Sequence, residues 1–272
     1  MRLADRVAIV TGTSPNIGGG IAEELAREGA RVACLDSNES NAVDCAAAIQ
    51  RAGGKAIAIP TDVTDSDAVD AAVEQAANEL GGVHILVNNA VFFNQKGLLD
   101  MPLDQWRSQL DVILTGAFLC TRAAARIMIA RKLQGSIVNV VSTAGHQGQP
   151  GNLAYCTGKS GLLNFTRAAA MDLAPYRIRV NSMTPTATDP SDGMDRAERW
   201  GRPRPPEALI GLFDGFRRSV PLQSLPTPQD YGRAVTFLAS DDAQHMTGAD
   251  LRIDSGAVGR YWAWDPAREE TQ

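Results

Sequence analysis

Short runs rich in valine and isoleucine alternate along the chain with longer stretches whose apolar residues recur every three or four positions. Val7–Val10, Arg31–Leu35, Ala56–Ile59, Ile85–Val87, Ile137–Val141 and Ile178–Val180 read as strands, with a last one around Ala249–Ile253. Their apolarity is nearly continuous and does not alternate, as expected when both faces of a parallel sheet are covered. Between them the spacing predicts helices over Ile17–Glu28, Asn41–Ala52, Asp67–Leu80, Leu103–Ala130, Ala154–Leu173 and Gln229–Ala239. This β-α-β-α order predicts an α/β fold. Its expected form is a doubly wound, mainly parallel seven-stranded sheet with helices on both faces, in a single domain.

Two stretches interrupt the rhythm. Residues 186–228 are rich in proline and arginine, with scattered Trp and Phe. They follow the carboxyl end of a strand, where open α/β sheets place ligands, so they are expected to form a substrate-binding loop or lid with a short helix near Pro206–Arg218. Beyond the domain at residues 1–255, an aromatic tail over 256–272 carries Tyr261, Trp262 and Trp264.

Composition narrows the function classes. The 272 residues are 44% hydrophobic and 21% charged, which is globular and not disordered, and the net charge of −5 gives no electrostatic footprint for nucleic acid or an anionic membrane. Met1–Asp5 has no leader pattern, and no window approaches eighteen uninterrupted apolar residues. Cys34, Cys45, Cys120 and Cys156 form no CxxC pair and no metal-ligand spacing. The expectation is a reduced, cytoplasmic compartment, no metal, and neither nucleic acid nor membrane as partner.

Candidate chemistry begins at the first turn. Val7–Val10 runs into Thr11-Gly12-Thr13-Ser14-Pro15-Asn16-Ile17-Gly18, which opens a helix. Such a turn lets backbone approach a pyrophosphate, and the helix N-terminus supplies free N–H groups and a positive dipole end. Gly12, Ser14, Asn16, Ile17 and Gly18 are therefore candidate cofactor contacts in a Rossmann-type crevice, with Asn16 expected at a positive φ in place of glycine. Asp36 ends the second strand, where a carboxylate accepts hydrogen bonds from ribose hydroxyls and repels a 2′-phosphate. No Lys or Arg at Thr13–Ile17 or Ser37 offsets it, so NAD is favoured over NADP.

Tyr155 and Lys159 stand four apart on a predicted helix and share one face. A phenol with a reference pKa near 10 is too weak a base at neutral pH, and an adjacent ammonium favours its ionised form. Ser142, at the carboxyl end of a strand, can hydrogen-bond a substrate oxygen.

The chain resembles the short-chain dehydrogenase/reductase family over about residues 5 to 255. The resemblance rests on Thr11-Gly12…Ile17-Gly18, Asp62-Val63, Asn88-Asn89-Ala90, Ser142, Tyr155-Cys156-Thr157-Gly158-Lys159 and Asn181-Ser182-Met183-Thr184-Pro185. It implies an NAD-dependent oxidoreductase interconverting a secondary alcohol and a ketone. Tyr155 would exchange the proton, Ser142 would orient the carbonyl or hydroxyl, and Lys159 would bind the nicotinamide ribose and lower the tyrosine pKa. Asp62, Val63, Asn89, Ala90, Pro185 and Thr188 are the further cofactor contacts it implies, and a homotetramer is the assembly.

Four departures stand out: Ile113 where the family has a water-holding Asn, Val91 and Thr186 for glycines, and Pro190 for a threonine. Gln109, one turn before Ile113, is an alternative holder of that water. On the substrate side the candidates are Val91, His146, Asn152, Trp200 and Phe213, which suit a small-molecule alcohol or ketone on a cyclic or aromatic skeleton. A non-catalytic dinucleotide-binding regulator, or an epimerase or dehydratase on the same fold, are the alternatives.

Overall fold

The computed structural model describes residues 1–261 and residue 263, so Trp262 and Trp264 lie outside the described residues. Seven parallel strands form one sheet: β1 Val7–Thr11, β2 Arg31–Asp36, β3 Ala56–Pro60, β4 Ile85–Asn88, β5 Gly135–Val140, β6 Ile178–Pro185 and β7 Asp250–Ile253, ordered β3-β2-β1-β4-β5-β6-β7. The order reverses between β1 and β4, which opens a crevice beyond their carboxyl ends.

The helices are α1 Ile17–Arg27, α2 Glu39–Arg51, α3 Ser66–Leu80, α4 Leu103–Leu110, α5 Gly116–Ala130, α6 Leu153–Leu173, α7 Pro190–Arg199, α8 Ala208–Leu212, α9 Asp214–Ser219 and α10 Pro228–Ala239. Ile21, Leu25, Cys45, Ile49, Tyr231 and Leu238 cover one face of the sheet. Val69, Val73, Leu80, Leu119, Ala124 and Met128 cover the other. Strands β1 to β6 send buried side chains to both faces, which is why their sequences are apolar without alternation, while the edge strand β7 packs on one face only.

Local signals set the helix starts. Asp65 accepts from the backbone N–H groups of Asp67 and Ala68 at the head of α3, and Thr227 with Asp230 forms a reciprocal capping box at α10, with Pro228 in its first turn. A buried amide ladder ties the sheet to its helices: Asn88 Nδ2 donates to Asn139 Oδ1 at 2.8 Å, and Asn139 Nδ2 to Thr166 Oγ1 at 2.9 Å.

Two elements differ from the sequence reading. The helix expected over Leu103–Ala130 contains one wide π turn at Asp111–Thr115, between α4 and α5. By length and composition this run could cross a membrane, yet 56% of its most apolar window is buried in the protein, as a core helix requires. The stretch 186–228 is more ordered than a loop. Asp189 caps α7 through Ser191 N–H, Pro190 fills the first helical position, and α8 and α9 follow.

Candidate active site

At the β1/β4 crevice a cleft of about 670 Å³ opens. Gly12, Ser14, Asn16, Ile17 and Gly18 line it from the β1–α1 turn, and Asp36 from the end of β2. Asp62 and Val63 line it after β3, and Asn89, Ala90 and Val91 after β4. Ser37, Asn41, Thr61, Thr64 and Phe92 join them, as do Ser108, Asp111 and Val112 from α4 and the π turn. The last three escaped sequence reasoning because no local pattern links them to the glycine turn. Pro185 and Thr188 do not line this cleft. Pro185 ends β6, and Thr188 is buried beside Tyr231, whose hydroxyl donates to Thr186 O at 3.3 Å.

The turn is built for close approach. Gly12 has φ +71°, and a Cβ there would lie 2.8 Å from Ala90 Cα. A Cβ on Gly18 would lie 1.9 Å from Gly12 O. Asn89 clamps the turn, its Nδ2 donating to Thr11 O at 3.1 Å and to Gly12 O at 2.8 Å. Asn16 corrects an expectation: its φ is −112°, because Gly12 alone carries the left-handed bend. Asp36 Oδ1 accepts from Asn38 N–H at 2.9 Å, which leaves its second oxygen for a ligand hydroxyl. A backbone cradle that a side chain would fill, opening onto the N-terminus of α1 and flanked by Asp36, fits a dinucleotide.

A second constellation lies where β5 ends. Ser142 caps a short turn, its Oγ accepting from Ala144 N–H at 3.1 Å, and its hydroxyl lies near that of Tyr155. Lys159 sits one helical turn beyond, Nζ 5.8 Å from the Tyr155 ring centroid, and donates to Val140 O at 2.7 Å. The three side chains converge at the end of β5.

The electrostatics differ from the sequence expectation. Burial raises the Tyr155 pKa above the ordinary phenol value, and the Ser142 hydrogen bond only partly opposes it. Burial likewise pulls the Lys159 pKa down, to about 7. This has a measurable consequence for stability. Below about pH 7 both folded and unfolded chains hold the lysine proton, and the folded state bears the full desolvation cost. Above it the folded chain releases the proton while the unfolded chain keeps it, so stability rises by up to about 1.4 kcal/mol per pH unit. Near pH 9 thiols begin to ionise in the unfolded chain and reverse the trend, Cys120 being held up to about 12 in the fold. Lys159→Met is therefore expected to stabilise most below pH 7, with its advantage shrinking by pH 9. Urea unfolding across that range checks it; a pH-independent difference would contradict the buried ammonium.

The substrate-side candidates scatter. Val91 is half-exposed on the cleft, and Asn152 is buried at the head of α6, donating to Gln149 Oε1 at 3.2 Å. Phe213 pairs with Phe216 at 6.0 Å between α8 and α9. His146 points to the β6–β7 pair, Nε2 lying 3.1 Å from Thr184 Oγ1 and 3.2 Å from Asp250 Oδ2. Trp200 requires correction. Its indole is buried against α1 at Gly19 and donates to Glu23 Oε1 at 3.0 Å, on the far side of that helix from the cleft lining. Arg196, Arg202, Arg204 and Arg217 are paired with the chain's own carboxylates and hold this segment together. Ile113 is packed among Val141, Leu162 and Leu163, against Gly158.

A family model described as enoyl-(acyl carrier protein) reductase matches residues 12–258. The chain is 37% identical over 258 residues to a cis-4-hydroxycyclohexanecarboxylate dehydrogenase of Sinomonas cyclohexanicum, covering 93% of this chain and 96% of the relative. It is 33% identical over 265 residues to a galactitol 2-dehydrogenase of Agrobacterium fabrum, covering 94% and 98%. An NAD+-bound xylitol dehydrogenase superimposes with a TM-score of 0.82 at 32% identity, covering 93% of this chain and 99% of that one. These matches, joined to the seven-stranded parallel sheet and the glycine cradle, mean that the chain belongs to the short-chain dehydrogenase/reductase family of nicotinamide-dinucleotide oxidoreductases.

Proposed function

We propose that the protein is an NAD-dependent dehydrogenase that interconverts a secondary alcohol and a ketone, with Tyr155 as its acid/base. The convergence of Ser142, Tyr155 and Lys159 carries this reading. Ser142 Oγ hydrogen-bonds the substrate oxygen and fixes it beside the phenol. In the oxidation direction the Tyr155 phenolate accepts the alcohol proton and becomes the phenol; in reduction the phenol donates that proton to the carbonyl oxygen. Lys159, whose Nζ donates to Val140 O and lies 5.8 Å from the tyrosine ring centroid, would hold the nicotinamide ribose. The bound dinucleotide supplies the two-electron acceptor or donor.

NAD is the preferred form because the cleft lining contains Asp36, Asp62 and Asp111 and no Lys, Arg or His. A 2′-phosphate beside Asp36 would meet a like charge at a cost of several kcal/mol. Support for a ring-bearing substrate comes from the 37% identical hydroxycyclohexanecarboxylate dehydrogenase and from exposed Val91, Phe92 and Phe93. The assembly is a homotetramer through the faces of α5 and α6, where Phe118 and Met171 are exposed, and through α10 and β7.

Initial rates of NADH and NADPH formation over a panel of secondary alcohols test the reading. Wild type should favour NAD by about a hundredfold or more, and Asp36→Ala should erase at least about tenfold of that preference, at 1.4 kcal/mol per decade. Tight NAD binding without turnover on any alcohol would instead support a non-catalytic dinucleotide binder.

A further inference from the structure

The Phe93 ring stands edge-on to Tyr155, centroids 5.0 Å apart at an interplanar angle of 86°. That contact is part of the burial that holds the phenol neutral. Phe93 is 49% exposed as a residue, and Val91 and Phe92 beside it are open to similar degrees. Three consecutive large apolar side chains at the mouth of a polar site cost free energy in water, and a bound apolar surface recovers it.

The loop that carries Phe93 is held from both sides. Gln109 is the one buried residue of α4, and its Nε2 donates to Asn94 O at 3.0 Å. Asn94 Nδ2 in turn donates to Gln105 Oε1, and Lys96 O accepts from Leu153 N–H at the start of α6. A fully buried amide spent on a loop carbonyl is a specific investment, since any other conformation of the loop would leave that donor unpaired. Its grip fixes the residue after Phe93, and so the angle at which the ring meets the phenol.

We propose that Phe93 is a specificity-determining residue: its half-open ring is the wall against which an apolar ring bearing the reacting secondary hydroxyl packs, and Gln109 is the positioning residue that holds it there. This rests on the dehydrogenase reading. It favours cyclohexanol-like alcohols over open-chain polyols, because each extra hydroxyl pressed against the Val91–Phe93 surface would lose its hydrogen bonds to water.

The test compares kcat/KM for cyclohexanol and for xylitol, with saturating NAD, in wild type, Phe93→Ala, Phe93→Leu and Gln109→Met. Calorimetric binding of cyclohexanone to the NADH complex is a readout independent of turnover. Wild type should prefer the ring alcohol. Phe93→Ala should reduce that preference by about 10- to 200-fold, the range a hydrophobic pocket commands, and Phe93→Leu should retain most of it. Gln109→Met should raise KM for the ring alcohol more than it lowers kcat, and weaken cyclohexanone binding in step. An unchanged ratio in Phe93→Ala, or a wild-type preference for the polyol, would overturn this inference while leaving the dehydrogenase assignment standing. A wild type inactive on every secondary alcohol would overturn both.

Discussion

Tyr155→Phe should cut alcohol oxidation and ketone reduction by about 10²- to 10⁴-fold, the usual weight of a positioned acid/base, while leaving the dinucleotide Kd within about twofold. The substitution removes one oxygen. The ring keeps its edge contact with Phe93 and its place beside Lys159, so the packing of α6 is preserved. Ser142 loses a partner but retains its bond from Ala144 N–H and its access to a substrate oxygen. What disappears is the phenolic hydroxyl beside Ser142, and with it the proton route to the substrate. Because burial holds the Tyr155 pKa above the ordinary phenol value, oxidation by wild type should also quicken as pH rises through the neutral and alkaline range. That slope should vanish in the variant. Initial rates across pH, with fluorescence titration of NADH, separate binding from chemistry. Activity within tenfold of wild type would remove Tyr155 from the mechanism.

The layered sheet was legible because enclosure on both faces leaves a mark in the inner strands: Val7–Thr11 and Ile85–Asn88 are buried throughout, and both are apolar runs. The glycine turn was equally legible, since steric demand at Gly12 and Gly18 admits nothing larger. What the sequence concealed depends on distant partners. Trp200 reads as a lid aromatic until Glu23, far off in the chain, takes its indole N–H. Asp189-Pro190 is a helix start in its own right, yet the density of prolines around it argued for a loop. The charges at Tyr155 and Lys159 could be read from their spacing; their burial could not, and burial decides the direction of both pKa shifts. Gln109 is polar among polar neighbours on α4, and only its interment beneath Asn94 shows that it is a latch. Periodicity thus reveals which side of an element is covered, whereas the identity of the cover comes from tertiary contact.

Gly18→Ala should disable the dinucleotide cradle without touching Ser142, Tyr155 or Lys159. The added methyl would sit 1.9 Å from Gly12 O and 2.6 Å from Asn89 Nδ2. Neither neighbour can yield cheaply. The carbonyl belongs to the left-handed bend at Gly12, and the Asn89 amide is already bonded to Thr11 O and Gly12 O. Relief therefore requires α1 to back away from β1, which draws its N-terminal N–H groups off the cleft. Overpacking of this kind costs about 1–3 kcal/mol, occasionally more, and should lower Tm by roughly 2–12 °C in a chain of this size. Dinucleotide affinity should fall by at least about a hundredfold, equivalent to ~2.8 kcal/mol. Gly211→Ala is the control: nothing lies within 4 Å of a Cβ there, and α8 is helical, so a small gain in stability and no loss of binding are expected. Thermal melts with and without NAD read both quantities at once, because a ligand that binds only the folded chain raises its Tm. Wild-type protection by NAD in Gly18→Ala would place the dinucleotide elsewhere than in this turn.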